Sequence, residues 1–444
     1  MQQLPVVVVG AGPTGLAAAA ALAERGLEPL VLEQGAGPGA AVAGWAHVRL
    51  FSPWAEVLDP SAVRLLLTSG WSAPDPASYP TGGDWLERYL EPLATALRTR
   101  VRFGARVTGV ARRGRDVVVD SGRDQVPLVV HVQTDGGEER IEARGLIDAS
   151  GTWGSPNPLG ADGLPALGEA AALERVTYAV PDPGDPADVA RYAGRRTAVA
   201  GSGASAFTAL LALDAIAQDH PGTEIVWVLR RGVSAATFGG GEADQLPARG
   251  ALGLRARAAV DAGRISAVTG FRTASVTAGA DGRLELGAVD GRHLDGIDEV
   301  VAVTGFRPDL SWLTEVRLDL DPVLQAPRRL APLIDPNVHS CGTVYPHGAA
   351  ELAQPEAGVY LVGMKSYGRA PTFLAMTGYE QVRSVAAALA GDTEAAARVE
   401  LTLPETGVCG GAGLFDDAPA AGGCCSPPPT LEVPVRGLSD ASAR

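Results

Sequence analysis

The chain is short of several residues on which particular chemistries depend. Of its 37 basic side chains only Lys365 is a lysine and the remainder are arginines. With the alanine and glycine load, that reads as genomic bias rather than mechanism. Cysteines number four in 444 residues (Cys341, Cys409, Cys424 and Cys425). Four is no disulfide framework, which points to a reducing compartment and a cytoplasmic location. No H-E-x-x-H and no paired-carboxylate motif occurs. Basic charge is also scarce: 37 bases against 51 acids leave a net charge of −14, a poor basis for binding a phosphate backbone, so no nucleic-acid partner is expected. Only 4–23 is an uncharged stretch of the length a membrane span requires. Pro5, Pro13 and three glycines interrupt it, and no basic residue precedes it as a signal peptide demands. It parses as strand, turn and helix, so no membrane association is expected. At ~150 residues per domain the length suggests about three units.

Two segments carry most of the information. Val6-Val7-Val8-Val9 is a continuous apolar run suited to a strand buried on both faces. Gly10-Ala11-Gly12-Pro13-Thr14-Gly15 follows, then a helical run from Leu16 to Arg25, then a strand from Pro29 to Leu32 ending at Glu33. In such a fingerprint Gly10 permits the tight turn, Gly12 admits a pyrophosphate to the backbone, and Gly15 lets helix and strand pack closely. The helix start supplies N–H donors and a positive dipole end. Glu33 is spaced to accept hydrogen bonds from ribose hydroxyls.

The second segment repeats the pattern. Thr197 to Ala200 is a buried-strand run, followed by Gly201-Ser202-Gly203-Ala204-Ser205-Ala206, a helix from Phe207 to Ala217 and a strand from Glu224 to Leu229. Arg230 and Arg231 stand where the first unit has its acid. A guanidinium pairs bidentately with a 2′-phosphate that a glutamate would repel, so this site is expected to prefer NADPH; two solvated surface arginines are the plainer reading. Two dinucleotide units in one chain imply electron relay, with FAD at the acid-tipped site and NADPH at the other.

Between them, alternating segments (Asp116 to Val119, Val126 to Val132, Gly145 to Ala149) with turns such as Asp135-Gly136-Gly137 suggest a β-meander. Strands running into small-residue turns end at Gly151 and Gly305. Proline-rich 180–186 reads as a linker, 358–363 as a strand, and 377–390 as a helix packing on the first unit. From Gly391 the composition drifts to Gly, Pro and Ala, a loosely ordered tail.

These fingerprints and turns resemble the two-dinucleotide-binding-domain flavoproteins, which include flavin-containing monooxygenases and thioredoxin reductases. More narrowly, 45–54 (WAHVRLFSPW), 148–153 (DASGTW) and 363–372 (GMKSYGRAPT) resemble FAD-dependent oxidoreductases encoded beside arsenic-resistance genes. The resemblance implies an α/β fold of two Rossmann-like domains. The NADPH domain (161–305) would be inserted into a discontinuous FAD domain (1–160 and 306–395), followed by a cysteine-containing flexible tail (396–444). Gly10, Gly12, Pro13, Thr14, Gly15 and Glu33 match its FAD fingerprint. Gly201, Ser202, Gly203, Ala204, Ser205, Arg230 and Arg231, with the turn at Gly305, match the NADPH one. Val107 matches an adenine-contacting position, Trp45, Arg49 and Ser52 would lie near the flavin ring, and Gly151 belongs with the FAD turns. The chain departs from its relatives in two places. The reductase branch has Gly-Asp where this chain has Gly363-Met364, leaving only backbone contacts there. The monooxygenase motif F-x-G-x-x-x-H is absent, and 154–160 lacks its histidine.

The electron acceptor is the open question. A flavin disulfide reductase needs a thiol pair, usually C-x-x-C or C-x4-C, in a nucleotide domain, and no cysteine precedes Cys341. The remaining routes are O₂, for oxygenation of a soft nucleophile, or a substrate held by Cys409, Cys424 and Cys425. Three thiols can converge on one thiophilic centre such as As(III). Zinc would want a fourth ligand, Cys341 or His347. Cys424-Cys425 could instead act as a thiol relay, or the cysteines could be bystanders, or the protein could sequester thiophilic ions. His47, Arg49 and His347 are candidates near the flavin, with satisfied structural histidines as the alternative for the two imidazoles.

Overall fold

A computed structural model describes residues 4–233, 235–244, 246–279, 281–336, 347–371 and 373–401. The strands in chain order are β1 (Val6–Val9), β2 (Pro29–Leu32), β3 (Val101–Arg102), β4 (Arg106–Arg112), β5 (Leu128–Thr134) and β6 (Gly137–Ala143). β7 (Gly145–Asp148), β8 (Val176–Thr177), β9 (Arg196–Ala200), β10 (Glu224–Val228) and β11 (Ile265–Val268) follow. The last are β12 (Thr273–Ala278), β13 (Leu284–Ala288), β14 (His293–Ile297), β15 (Glu299–Ala302) and β16 (Val359–Leu361). Helices of twelve or more residues are α1 (Pro13–Glu24), α2 (Ala204–Asp219), α3 (Pro247–Asp261) and α4 (Ala375–Leu389). None of the described helices is long and apolar enough to cross a membrane.

The described chain divides into two compact units, 4–155 with 306–401, and 156–305. In the first unit a parallel five-stranded sheet has the order β16-β7-β1-β2-β3. Its central strand is the valine run Val6–Val9, buried at every position, as a sheet covered on both faces requires. One face carries α1 and α4 over a core that includes Leu16, Leu22, Val382 and Val385. The other carries the antiparallel meander β4-β5-β6 over Val7, Val9, Val130 and Leu146.

The second unit repeats the plan. Its parallel sheet has the order β11-β10-β9-β15-β8, and a second meander, β12-β13-β14, accompanies it. That meander is absent from the sequence reading, although Asp281-Gly282 and Asp290-Gly291 mark its turns, with both glycines at positive φ.

Two expectations need correction. Residues 116–119 form no strand. Their backbone groups are taken by side chains, with Val117 N–H donating to Glu315 and Arg317 donating to Val117 O. The chain also keeps its order past Gly391: Thr393–Ala397 is a short helix capped by Asp392, which accepts from Ala395 N–H. The cysteines Cys341, Cys409, Cys424 and Cys425 lie outside the described residues.

Candidate nucleotide sites

In the first unit β1 runs straight into the fingerprint. Gly10 takes φ +99°, a value that favours glycine, and a Cβ there would stand 2.8 Å from Ala149 O. A Cβ on Gly15 would sit 1.9 Å from Gly10 O, so the helix can approach the strand only through glycine. Gly12 is different. Its φ −77° and ψ −176° suit any residue, and an added Cβ would meet nothing within 4 Å. The space in front of Gly12 is open, and no side chain caps α1. Leu16 N–H is the first to bond back into the helix, to Gly12 O. That leaves Thr14 and Gly15 N–H aimed at the open space, the arrangement a pyrophosphate fits.

Glu33 follows β2 and is buried. One carboxylate oxygen accepts from Ala11 N–H at 2.7 Å and the other from Gly35 N–H at 2.7 Å. Each oxygen keeps a further lone pair for a ribose hydroxyl. Val107 is buried in the core cluster that holds Leu32 and Val9. A cleft lined by Pro5, Glu28, Pro29 and Arg100 opens at the amino ends of β1 and β2, opposite the end where nucleotides bind.

Further along, Gly44 packs against Trp153, whose ring lies tilted against Phe306 at a centroid distance of 5.1 Å. Trp45 lies against Gly82 and 6.5 Å from Trp85. Arg49 bridges to Thr81 and donates to Tyr79 O at 2.7 Å. His47 and Ser52 are half-buried on the same segment. The turn at Gly363 faces Thr14, with an added Cβ 2.9 Å from Thr14 Oγ1. At Gly363, where only backbone contacts are expected, the N–H donates to Gln381 Oε1 at 2.7 Å. Met364 is half-buried beside it. His347 is buried, with Nε2 2.8 Å from Gln381 Nε2 and its ring 5.6 Å from Tyr367. An amide nitrogen only donates, so His347 Nε2 accepts, and the imidazole is held as a structural element. Gln381, which organises this corner, has no signature in the sequence. Arg307 has its guanidinium pushed below the ordinary value by burial and by neighbouring Arg369.

The second unit builds the same cradle with different chemistry. Gly201 takes φ +141°, and a Cβ on it would stand 2.4 Å from Val303 O. Trp227 on β10 donates its indole N–H to Gly201 O at 2.8 Å, a tie that spacing does not reveal. Gly203, with φ −88° and ψ −176°, precedes α2 without a side-chain cap and faces open space. Ser202 and Ser205 are exposed and Ala204 opens the helix. Gly305, at φ +93°, closes the facing turn, with Asn157 N–H donating to its carbonyl at 2.8 Å. Arg230 is exposed just beyond β10, and Arg231 beside it accepts from Gly270 N–H at its carbonyl. Among the described residues no cluster of His, Cys, Asp or Glu could hold a metal ion.

Residues 7–337 match the pyridine nucleotide-disulphide oxidoreductase family. The chain belongs to that family. The family's description is of pyridine-nucleotide oxidoreductases, and the chain shares with solved structures a fold of two dinucleotide-binding units. The chain is similar to the indole-3-pyruvate monooxygenase YUCCA1 of Oryza sativa subsp. japonica, 37% identical over 152 residues. That match covers 34% of this chain and 32% of the rice protein, about a third of its length. In fold it is similar to the bacillithiol disulfide reductase of Bacillus cereus, with a TM-score of 0.64 at 21% identity, covering 88% and 99% of the two chains. It is likewise similar to the flavin-containing monooxygenase of Stenotrophomonas maltophilia, with a TM-score of 0.51 at 24% identity over 89% and 99%. This member departs from what the family's name describes in one respect: neither fingerprint region contains a cysteine, the first being Cys341.

Proposed function

We propose that the Glu33 site holds FAD, that the Arg230 site holds NADPH, and that the protein is a monooxygenase-like enzyme acting on a soft nucleophile. The observation that carries the reading is the contrast between two like cradles. Both have an uncapped helix start in open space, but one ends in a buried carboxylate and the other in an exposed guanidinium. FAD, when bound, supplies the two-electron chemistry that joins a hydride donor to an acceptor. The chain's own part is binding and orientation. Thr14 and Gly15 N–H receive the pyrophosphate, and Glu33 fixes the ribose through its remaining lone pairs. Arg230 pairs with the 2′-phosphate of NADPH, for which Glu33 would be repulsive. Since no thiol pair lies in either nucleotide domain, O₂ is the acceptor this reading favours.

The finer reading names a trivalent arsenical as substrate, captured by Cys409, Cys424 and Cys425. Its support is the count of three thiols within 17 residues, which suits the three-thiolate pyramid of As(III). The vicinal pair Cys424-Cys425 supports a second reading, a dithiol relay to another acceptor. The test is an anaerobic NADPH titration of the flavin spectrum, followed by O₂ with and without arsenite. Bleaching by NADPH and an arsenite-dependent fall in peroxide yield are expected. Failure of NADPH to bleach the flavin removes the enzyme assignment, and indifference to arsenite removes the substrate.

A further inference from the structure

In a chain that uses arginine for every other side-chain cation, the one lysine occupies a site with unusual demands. Lys365 is the most deeply buried cation among the described residues. Its Nζ donates to Ser150 Oγ at 2.9 Å and Asp309 O at 2.6 Å, and lies 3.1 Å from Asp148 Oδ2. The face of Trp312 covers it at 5.4 Å. Two hydrogen-bond acceptors, a carboxylate oxygen at ion-pair distance and a ring over one point suit a compact ammonium. A planar guanidinium is wider and directs its donors as a fork. Base-composition bias accounts for the arginines; it does not account for this lysine.

The elements it joins border the first fingerprint. Asp148 ends β7, and its Oδ1 accepts both Ser150 N–H at 3.0 Å and Ser150 Oγ at 2.6 Å. Ser150 is thus held from two sides, by the carboxylate and by the ammonium. The turn it belongs to lies directly on Gly10: a Cβ there would be 2.8 Å from Ala149 O and 3.1 Å from Ser150 Cα. Lys365 itself is two residues beyond Gly363, which faces Thr14 across the same loop. Val362 N–H donates to Asp148 O at 2.9 Å, which ties the two strand ends together.

We propose that Lys365 is a positioning residue of the FAD site, acting through Asp148 and Ser150 to fix the 148–151 turn against Gly10. The proposal rests on the reading that the first fingerprint holds FAD. It assigns the affinity and the spectrum of bound flavin, not merely the fold, to this pair.

The test uses full-length protein stripped of FAD and titrated with it, reading FAD affinity, the visible spectrum of the bound flavin and the melting temperature of the apoprotein. Ser150→Ala keeps the ion pair and removes only the bridging hydroxyl. It is expected to lower apoprotein melting less than breaking the ion pair does, while binding FAD about fivefold more weakly, the worth of one hydrogen bond. Lys365→Arg, which keeps the charge but not the compact ammonium, is expected to bind FAD more weakly than wild type. In the neutral pair Lys365→Met with Asp148→Asn, apoprotein melting stays near wild type while FAD affinity falls at least about tenfold and the flavin spectrum shifts, because both buried charges are removed together and the bracing goes with them. Wild-type FAD affinity and spectrum in Ser150→Ala, or in the neutral pair, would overturn the proposal and leave a plain core ion pair. Wild-type protein that takes up no FAD at all would instead overturn the reading on which it rests.

Discussion

The two open helix starts provide a paired perturbation, Gly12→Ala and Gly203→Ala. Both positions have backbone angles any residue adopts, and neither new methyl comes within 4 Å of protein. For the apoprotein two small effects oppose each other. Alanine caps a helix less well than glycine by about 0.5–1 kcal/mol, and it restricts the unfolded chain by about 0.4–1 kcal/mol in compensation. Net stability should therefore stay within about 0.5 kcal/mol of wild type. The nucleotide has no such compensation. A methyl at Gly12 stands where phosphate oxygens must meet the Thr14 and Gly15 donors, and losing one charge-assisted hydrogen bond costs about 1.5–3 kcal/mol, roughly ten- to 150-fold in affinity. The assay reads apoprotein melting, FAD retained after purification, and NADP⁺ affinity by calorimetry. Gly12→Ala should melt normally, lose FAD and keep NADP⁺; Gly203→Ala should also melt normally but keep FAD and lose NADP⁺. Gly15→Ala is the contrasting control, since its methyl would lie 1.9 Å from Gly10 O and must disturb the fold itself. A Gly12→Ala protein that melts normally and still holds FAD at wild-type affinity would refute the cradle argument, and a reversed pattern would exchange the two assignments.

Two further outcomes follow from single side chains. Arg230→Ala should weaken 2′,5′-ADP about tenfold, near 1.5 kcal/mol because the arginine is exposed, and leave 5′-ADP unchanged; calorimetric titration showing equal loss for both ligands would refute 2′-phosphate recognition. Burial pushes the Asp59 carboxyl from 3.8 up to about 7. Its folded state therefore holds a proton that the unfolded chain has released, and stability falls as pH rises from about 4 to about 7. Asp59→Asn keeps the cap on Ala62 N–H and removes the ionisation. Its advantage over wild type should thus be larger at pH 8 than at pH 5 by about 3 kcal/mol, and urea melts showing the same difference at both pH values would refute it.

What could be read from the sequence was local. Val6–Val9, the glycines and Glu33 lie within one βαβ unit, where spacing and geometry are nearly the same thing. The failures share a cause, which is partners far away in the chain. Asp116 to Val119 carries a strand-like run of valines, yet Arg317, some 200 residues on, takes Val117 O, and Val118 is 79% exposed. Such backbone satisfaction by distant side chains competes with a ladder and leaves no periodicity to detect. For His347 a structural role is one of two readings, and its partner Gln381 lies 34 residues on, beyond any local pattern. Lys365 and Asp148 are separated by more than 200 residues, so their pairing is invisible to any window. The scarcity of lysine was nonetheless a usable signal. A strong compositional bias defines a default cation, and a position that resists the default is one where the physical demands of the site, here two acceptors and a carboxylate around a buried ammonium, outweigh the bias. In a chain this rich in arginine, the exception carries more structural information than any one of the arginines does.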